Sequence, residues 1–186
     1  MKKVIVIGAS GSLAQYVIEA LTDLEGIELT LFVRNKNRLS KSAAENYTVV
    51  EGDAMNYDDV KKAIEGQDIV YVNLAGNLEV MANNIVKAMQ QAGVKRIIAI
   101  SSIGIYETPL RSVLVAYRKL ADVIETSGLD YTILRPDWFT NANEIDYALT
   151  KKASPKKAQR FQERALLLLL RPLLKTLRST KGRIWG

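Results

Sequence analysis

The sequence predicts a three-layer α/β fold, a doubly wound parallel sheet with helices on both faces. Two observations carry this. Short apolar runs rich in β-branched residues recur six times before residue 150, with helix-patterned segments between them. Runs that are apolar at every position are strands covered on both faces, the habit of parallel sheets. The second observation is a glycine-bearing turn where the first run passes into the first helix pattern. Strand, helix, strand at this spacing is the βαβ crossover, and its repetition builds a layered α/β domain.

The elements follow in order. Residues 3–8, 29–33, 47–50, 68–72, 96–100 and 131–134 are the predicted strands. Residues 13–21, 57–64, 80–92 and 113–127 carry helical patterns, and Gly93 and Gly128 follow the last two, where left-handed caps favour glycine. The expected strand order is 3-2-1-4-5-6, with one domain over residues 1–150. No internal repeat beyond this alternation is evident.

Composition removes several functions. The 186 residues include neither cysteine nor histidine. Disulfides, thiolate metal sites and Ser-His-Asp chemistry are therefore excluded, and no metal is expected. The longest apolar run, Ala165 to Leu170, is far too short to span a bilayer. The first residues enter a strand pattern directly, so no signal peptide is read and a cytoplasmic location is expected.

The turn Gly8-Ala-Ser-Gly-Ser-Leu-Ala14 holds the first candidate site. Gly8 permits a tight turn, Gly11 lets a pyrophosphate approach the backbone, and Ala14 lets the helix pack on the strand. Ser10, Ser12 and Leu13 complete a loop whose amides, at a helix N-terminus, stabilise phosphate charge. The choice of dinucleotide falls after the second strand, which reads Phe32-Val-Arg-Asn-Lys-Asn-Arg38. An enzyme using NAD usually carries an acid there for the ribose hydroxyl. Here Arg34 and Arg38 stand instead, and a guanidinium fork suits a 2′-phosphate, so NADP(H) is favoured over NAD(H).

Over about residues 3–150 the chain resembles the atypical short-chain dehydrogenases, the group with NmrA-like and flavin (biliverdin) reductase-like NAD(P)H-binding members. The resemblance lies in Gly8-Ala-Ser-Gly, Arg34, Glu51-Gly-Asp-Ala54, Gly93-Val-Lys-Arg96 leading to Ser101-Ser102, and Ser127-Gly-Leu-Asp-Tyr-Thr-Ile-Leu-Arg-Pro136. It implies a Rossmann-type sheet. It also implies that Asp53 and Ala54 lie along the adenine and that Leu74, Ala75 and Gly76 flank the nicotinamide ribose. Ser101 and Ser102 fall at the end of the fifth strand, Ser102 matching a substrate-side hydroxyl. Lys119 matches a lysine that hydrogen-bonds the nicotinamide ribose. The stricter relatives carry Tyr-x-x-x-Lys on that helix, whereas here Val115 stands four residues before Lys119. Tyr117 lies nearby on another helical face, since two residues turn a helix by about 200°. Ser102, Tyr117 and Lys119 are the catalytic candidates.

The implied function is hydride transfer from NADPH to a small or planar acceptor such as a flavin, quinone or enone. A dinucleotide-binding sensor of the NmrA-like kind is the alternative. A third class, nucleic-acid or membrane attachment, would need the C-terminal segment. Residues 1–150 hold 15 Lys+Arg against 19 Asp+Glu, a net of −4, whereas residues 151–186 hold 11 against one, a net of +10. We read this tail as an out-of-frame or truncated version of the family's usual C-terminus, and not as a contact for nucleic acid or membrane. Sliding each codon by one nucleotide lets Ala153-Ser-Pro-Lys-Lys-Ala-Gln-Arg160 become Gly-Glu-Pro-Gln-Lys-Gly-Thr-Glu, the family's order, and a slip at Lys151-Lys152 suffices. The expected tail is poorly packed, with a stray helix near residues 158–170 whose exposed leucines promote self-association. Sequencing the gene across those lysine codons and weighing the intact protein test this. An in-frame gene encoding the tail overturns it.

Overall fold

The computed structural model describes residues 1–136 and the backbone of residues 139–140, 161–162 and 183–185. Its main sheet is parallel throughout. β1 (Lys2–Ile7) pairs with β2 (Ile27–Val33) on one side and β4 (Ile69–Val72) on the other. β3 (Thr48–Glu51) lies outside β2, while β5 (Arg96–Ile100) and β6 (Asp130–Leu134) extend the sheet beyond β4. The order 3-2-1-4-5-6 is thus the expected one. Two short pairings involve the later segments. β7 (Phe139–Thr140) pairs with β8 (Phe161–Gln162), and β9 (Arg183–Trp185) adds to β6. β8 replaces part of the helix expected over residues 158–170. The remaining expectations for the tail lie outside the described residues.

Alternation along the strands builds two cores. Val4 and Val6 of β1, Ile69 and Tyr71 of β4, and Ile98 and Ile100 of β5 face one side. There they meet Ala14, Val17 and Leu21 of α1 (Ser12–Thr22). Ile5, Ile7, Val70, Val72, Ile97 and Ala99 face the other side. α3 (Tyr57–Ile64), α4 (Leu78–Ala92) and α5 (Val115–Thr126) cover it. The continuous apolar runs therefore have the cause expected of them, burial on both faces. Gly93 caps α4 in the left-handed region at φ +71°, and Gly128 follows α5 at φ +74°.

Boundaries shift slightly from those expected. Helix α4 begins at Leu78, and a 3₁₀ turn, Ser112–Leu114, precedes α5. A second 3₁₀ turn, Lys36–Arg38, and the short α2 (Lys41–Asn46) fill the β2–β3 connection, where no helix is predicted. Neither buries a residue, so neither leaves an apolar stripe to read. Among the described residues, no helix is long and apolar enough to cross a membrane.

Candidate active site

Parallel strands place all their carboxyl ends at one edge of the sheet, where open α/β sheets gather ligands. Hydrogen bonds beyond the strand ends hold the loops there. Gly8 donates to the Phe32 carbonyl at 3.0 Å, Asn73 to Ile7 at 2.9 Å, Gly52 to Val33 at 2.9 Å and Ser101 to Leu134 at 2.7 Å. The loops enclose a cleft of about 580 Å³, within the usual range for ligand sites.

Gly8, Ser10, Gly11, Ser12 and Leu13 form one wall. Gly8 has φ +88°, and a Cβ on it would lie 2.1 Å from the Asn73 carbonyl oxygen. Gly11 has an ordinary φ of −73°, so its requirement is space: a Cβ there would lie 3.0 Å from Asn73 Nδ2. No side chain caps α1, and its first turn contains no acid. Its leading amides thus face the cleft without a competing anion, an arrangement suited to phosphate.

Arg34 and Arg38 line the cleft after β2, with Asp53 and Ala54 after β3. Both arginines are exposed, and neither has an ion-pair partner among the described residues. Asp53 also performs a turn function, its Oδ1 accepting the Met55 amide at 2.9 Å, while its own amide donates to Asp59 Oδ2 at 3.0 Å. Leu74 and Ala75 line the cleft after β4, as does Asn73, which sequence reasoning missed. Gly76, at φ +108°, lies outside the lining residues.

The far end differs in part from expectation. Ser101, Ser102 and Tyr117 line the cleft. The Ser101 hydroxyl donates to the Tyr117 carbonyl at 3.1 Å, tying the loop after β5 to α5. No described protein group hydrogen-bonds the side-chain hydroxyl of Ser102 or Tyr117, which leaves both available to a ligand. Lys119 does not reach the cleft. Its Nζ lies 2.5 Å from Glu79 Oε2 at the start of α4, and both side chains are about half exposed. Tyr117 and Lys119 stand two positions apart on a helix, so one faces the cleft and the other meets the neighbouring helix. An exposed pair of this kind contributes about 0.2–1 kcal/mol to stability.

Behind the far end lies a charged cluster. Arg135 is 2% exposed, with its guanidinium 5.2 Å from the Tyr106 ring centre. Burial lowers the Arg135 pKa, partly opposed by Tyr106 and Glu125. Burial also raises the Tyr106 phenol, reinforced by its hydrogen bond to Glu125. The adjoining Pro136 lines the cleft and accepts the Ile103 amide at 3.0 Å, which sets this wall. Arg111 also lines this end, unforeseen because it belongs to no motif. Among the described residues, no group of three or more acids is placed to hold a metal.

Comparison with known proteins agrees with this architecture. A Rossmann-fold NAD(P)-binding family protein from Shigella flexneri is 38% identical, with TM-score 0.88, over 100% of this chain and 92% of that one. A wide-type short-chain dehydrogenase/reductase from Veillonella parvula, solved with NADP, is 25% identical, with TM-score 0.88, over 100% of this chain and 93% of that one. An isoflavone reductase homolog (A622-like) of Nicotiana tabacum is 28% identical over 153 residues, 75% of this chain. The chain spans about half the length of that curated relative, 49%. These relatives accord with the resemblance to atypical short-chain dehydrogenases. The model of the NAD(P)H-binding family matches residues 8–165, and the chain belongs to that family.

Proposed function

We propose that this chain is an NADPH-dependent reductase of a small or planar acceptor, with the dinucleotide held in the cleft at the sheet edge. The observation that carries the reading is the charge of that cleft. Arg34 and Arg38 line its end after β2 against one carboxylate, Asp53, although residues 1–150 carry a net charge of −4. A basic cleft in an acidic body suits a polyanionic ligand. The space kept at Gly11 and the uncapped start of α1 fit a pyrophosphate, while Arg34 and Arg38 fit a 2′-phosphate. Asp53 and Ala54 would flank the adenine, with Leu74 and Ala75 beside the nicotinamide ribose.

Bound there, the dinucleotide supplies hydride. The protein's part is to bind and orient. Ser102 and Tyr117 would donate hydrogen bonds to the acceptor, polarising it, with the proton drawn from water. The Ser101 bond to α5 would keep those two hydroxyls in register.

Arg34→Ala tests the cofactor assignment. It should weaken NADPH binding by about 1.5–3 kcal/mol, roughly 10–150-fold, and leave NADH little changed. Calorimetry with both nucleotides reads this, and an equal loss for both contradicts the assignment. Turnover is tested by NADPH oxidation with flavin, quinone and enone acceptors. Tight binding with no oxidation by any of them favours the nucleotide sensor instead. The position of Lys119 away from the cleft supports that second reading.

A further inference from the structure

The end of the cleft formed after β5 has two features apart from the phosphate turn and the arginines after β2. Val113 lines the cleft yet is 64% exposed, a branched apolar side chain that the described protein leaves uncovered. Arg111 lines the same end, is exposed, and has no ion-pair or side-chain hydrogen-bond partner among the described residues. Its backbone is held: the Arg111 carbonyl accepts the Leu114 amide at 2.9 Å, closing the 3₁₀ turn Ser112–Leu114. The guanidinium thus projects from a fixed base.

Position separates Arg111 from the 2′-phosphate. Arg34 and Arg38 follow β2, and β1 and β4 stand between β2 and β5. Three strand spacings of about 4.8 Å place the two ends roughly 14 Å apart. Arg111 therefore belongs to a different part of the cleft from the arginine pair after β2. The same end is lined mainly by apolar groups, Ile103, Val113, Leu114 and Pro136, with the Tyr117 ring and the Ser102 hydroxyl beside them. One cation in an apolar frame recognises an anionic group on a flat apolar body, because the fork fixes the anion while the frame covers the rest.

We propose that Arg111 selects the acceptor's chemical class: a planar, largely apolar molecule carrying a phosphate, carboxylate or sulfonate. This rests on the reading of the cleft as a cofactor and acceptor site.

Matched probes test it by binding. Equilibrium dialysis against the NADP⁺-saturated full-length protein compares FMN with riboflavin, and 1,2-naphthoquinone-4-sulfonate with 1,2-naphthoquinone. Wild type should bind the anionic member of at least one pair about tenfold or more tightly than the neutral one. In Arg111→Ala that ratio should fall below about twofold, with NADPH affinity unchanged, and Arg111→Lys should keep part of it. Equal affinity within both pairs in wild type overturns the proposal, as does absence of binding by all four probes. So does a preference that survives in Arg111→Ala. If wild type fails to bind NADP(H), the cofactor reading fails, and the same ratios in the unliganded protein still decide the role of Arg111.

Discussion

Gly8→Ala should lower stability by on the order of 3–5 kcal/mol. Two costs combine. The backbone at φ +88° lies in the left-handed half of conformational space, where a Cβ is strained. That Cβ would also stand 2.1 Å from the Asn73 carbonyl oxygen. Asn73 has little room to retreat, because its amide continues the β1–β4 ladder through its bond to Ile7. The contact is backbone against backbone, so no rotamer change relieves it. At about 2–4 °C per kcal/mol for a chain of this size, thermal unfolding should begin roughly 6–20 °C lower. A drop of only a degree or two would mean that the first turn relaxes far more easily than its hydrogen bonds imply.

Gly11→Val should separate ligand binding from folding. The Gly11 backbone, at φ −73° and ψ 150°, is one valine adopts freely. The added Cβ would meet mainly Asn73 Nδ2, the mobile end of a side chain, at 3.0 Å. Stability should therefore fall by only about 1–2 kcal/mol. NADPH affinity should fall by about a hundredfold or more, because the branched side chain occupies the space where phosphate must reach the amides of α1. Calorimetry on a variant that still melts cooperatively gives the answer. Unchanged affinity would move the phosphate site elsewhere.

The contrast between these two glycines shows where sequence reasoning reaches. Both were legible as members of one phosphate-turn pattern, Gly8 for the tight turn and Gly11 for the approach of phosphate, but the contact that makes Gly8 strict was not. The duty of Gly8 depends on Asn73, 65 positions along the chain, which no local pattern pairs with it. The sheet was legible because β1, β2, β4 and β5 are buried on both faces and so carry unbroken apolar runs. β3 is half-exposed, and its pattern is accordingly weaker. Lys119 came from family resemblance alone, and a resemblance transfers a residue's identity without its rotamer or neighbours. Arg111 was invisible for the opposite reason. A single loop arginine carries no periodicity, and only the closing of the cleft gives it a place.

The central position of β1 has a consequence for how the protein is made. The first of the sheet's strands to be synthesised belongs in the middle of the finished sheet, and domains fold from the N-terminal end during synthesis. One flank is finished early, when β3 closes it with a short edge whose Thr48 and Glu51 face solvent. The opposite flank advances through β1, β4 and β5, and at each stage its outermost strand is apolar with unpaired backbone groups. Such an edge templates pairing with foreign chains. During translation the nascent sheet is therefore one-sided, inert along its polar rim and adhesive along its growing front, and exposure to chaperones and to misassembly concentrates between the emergence of β2 and that of β6.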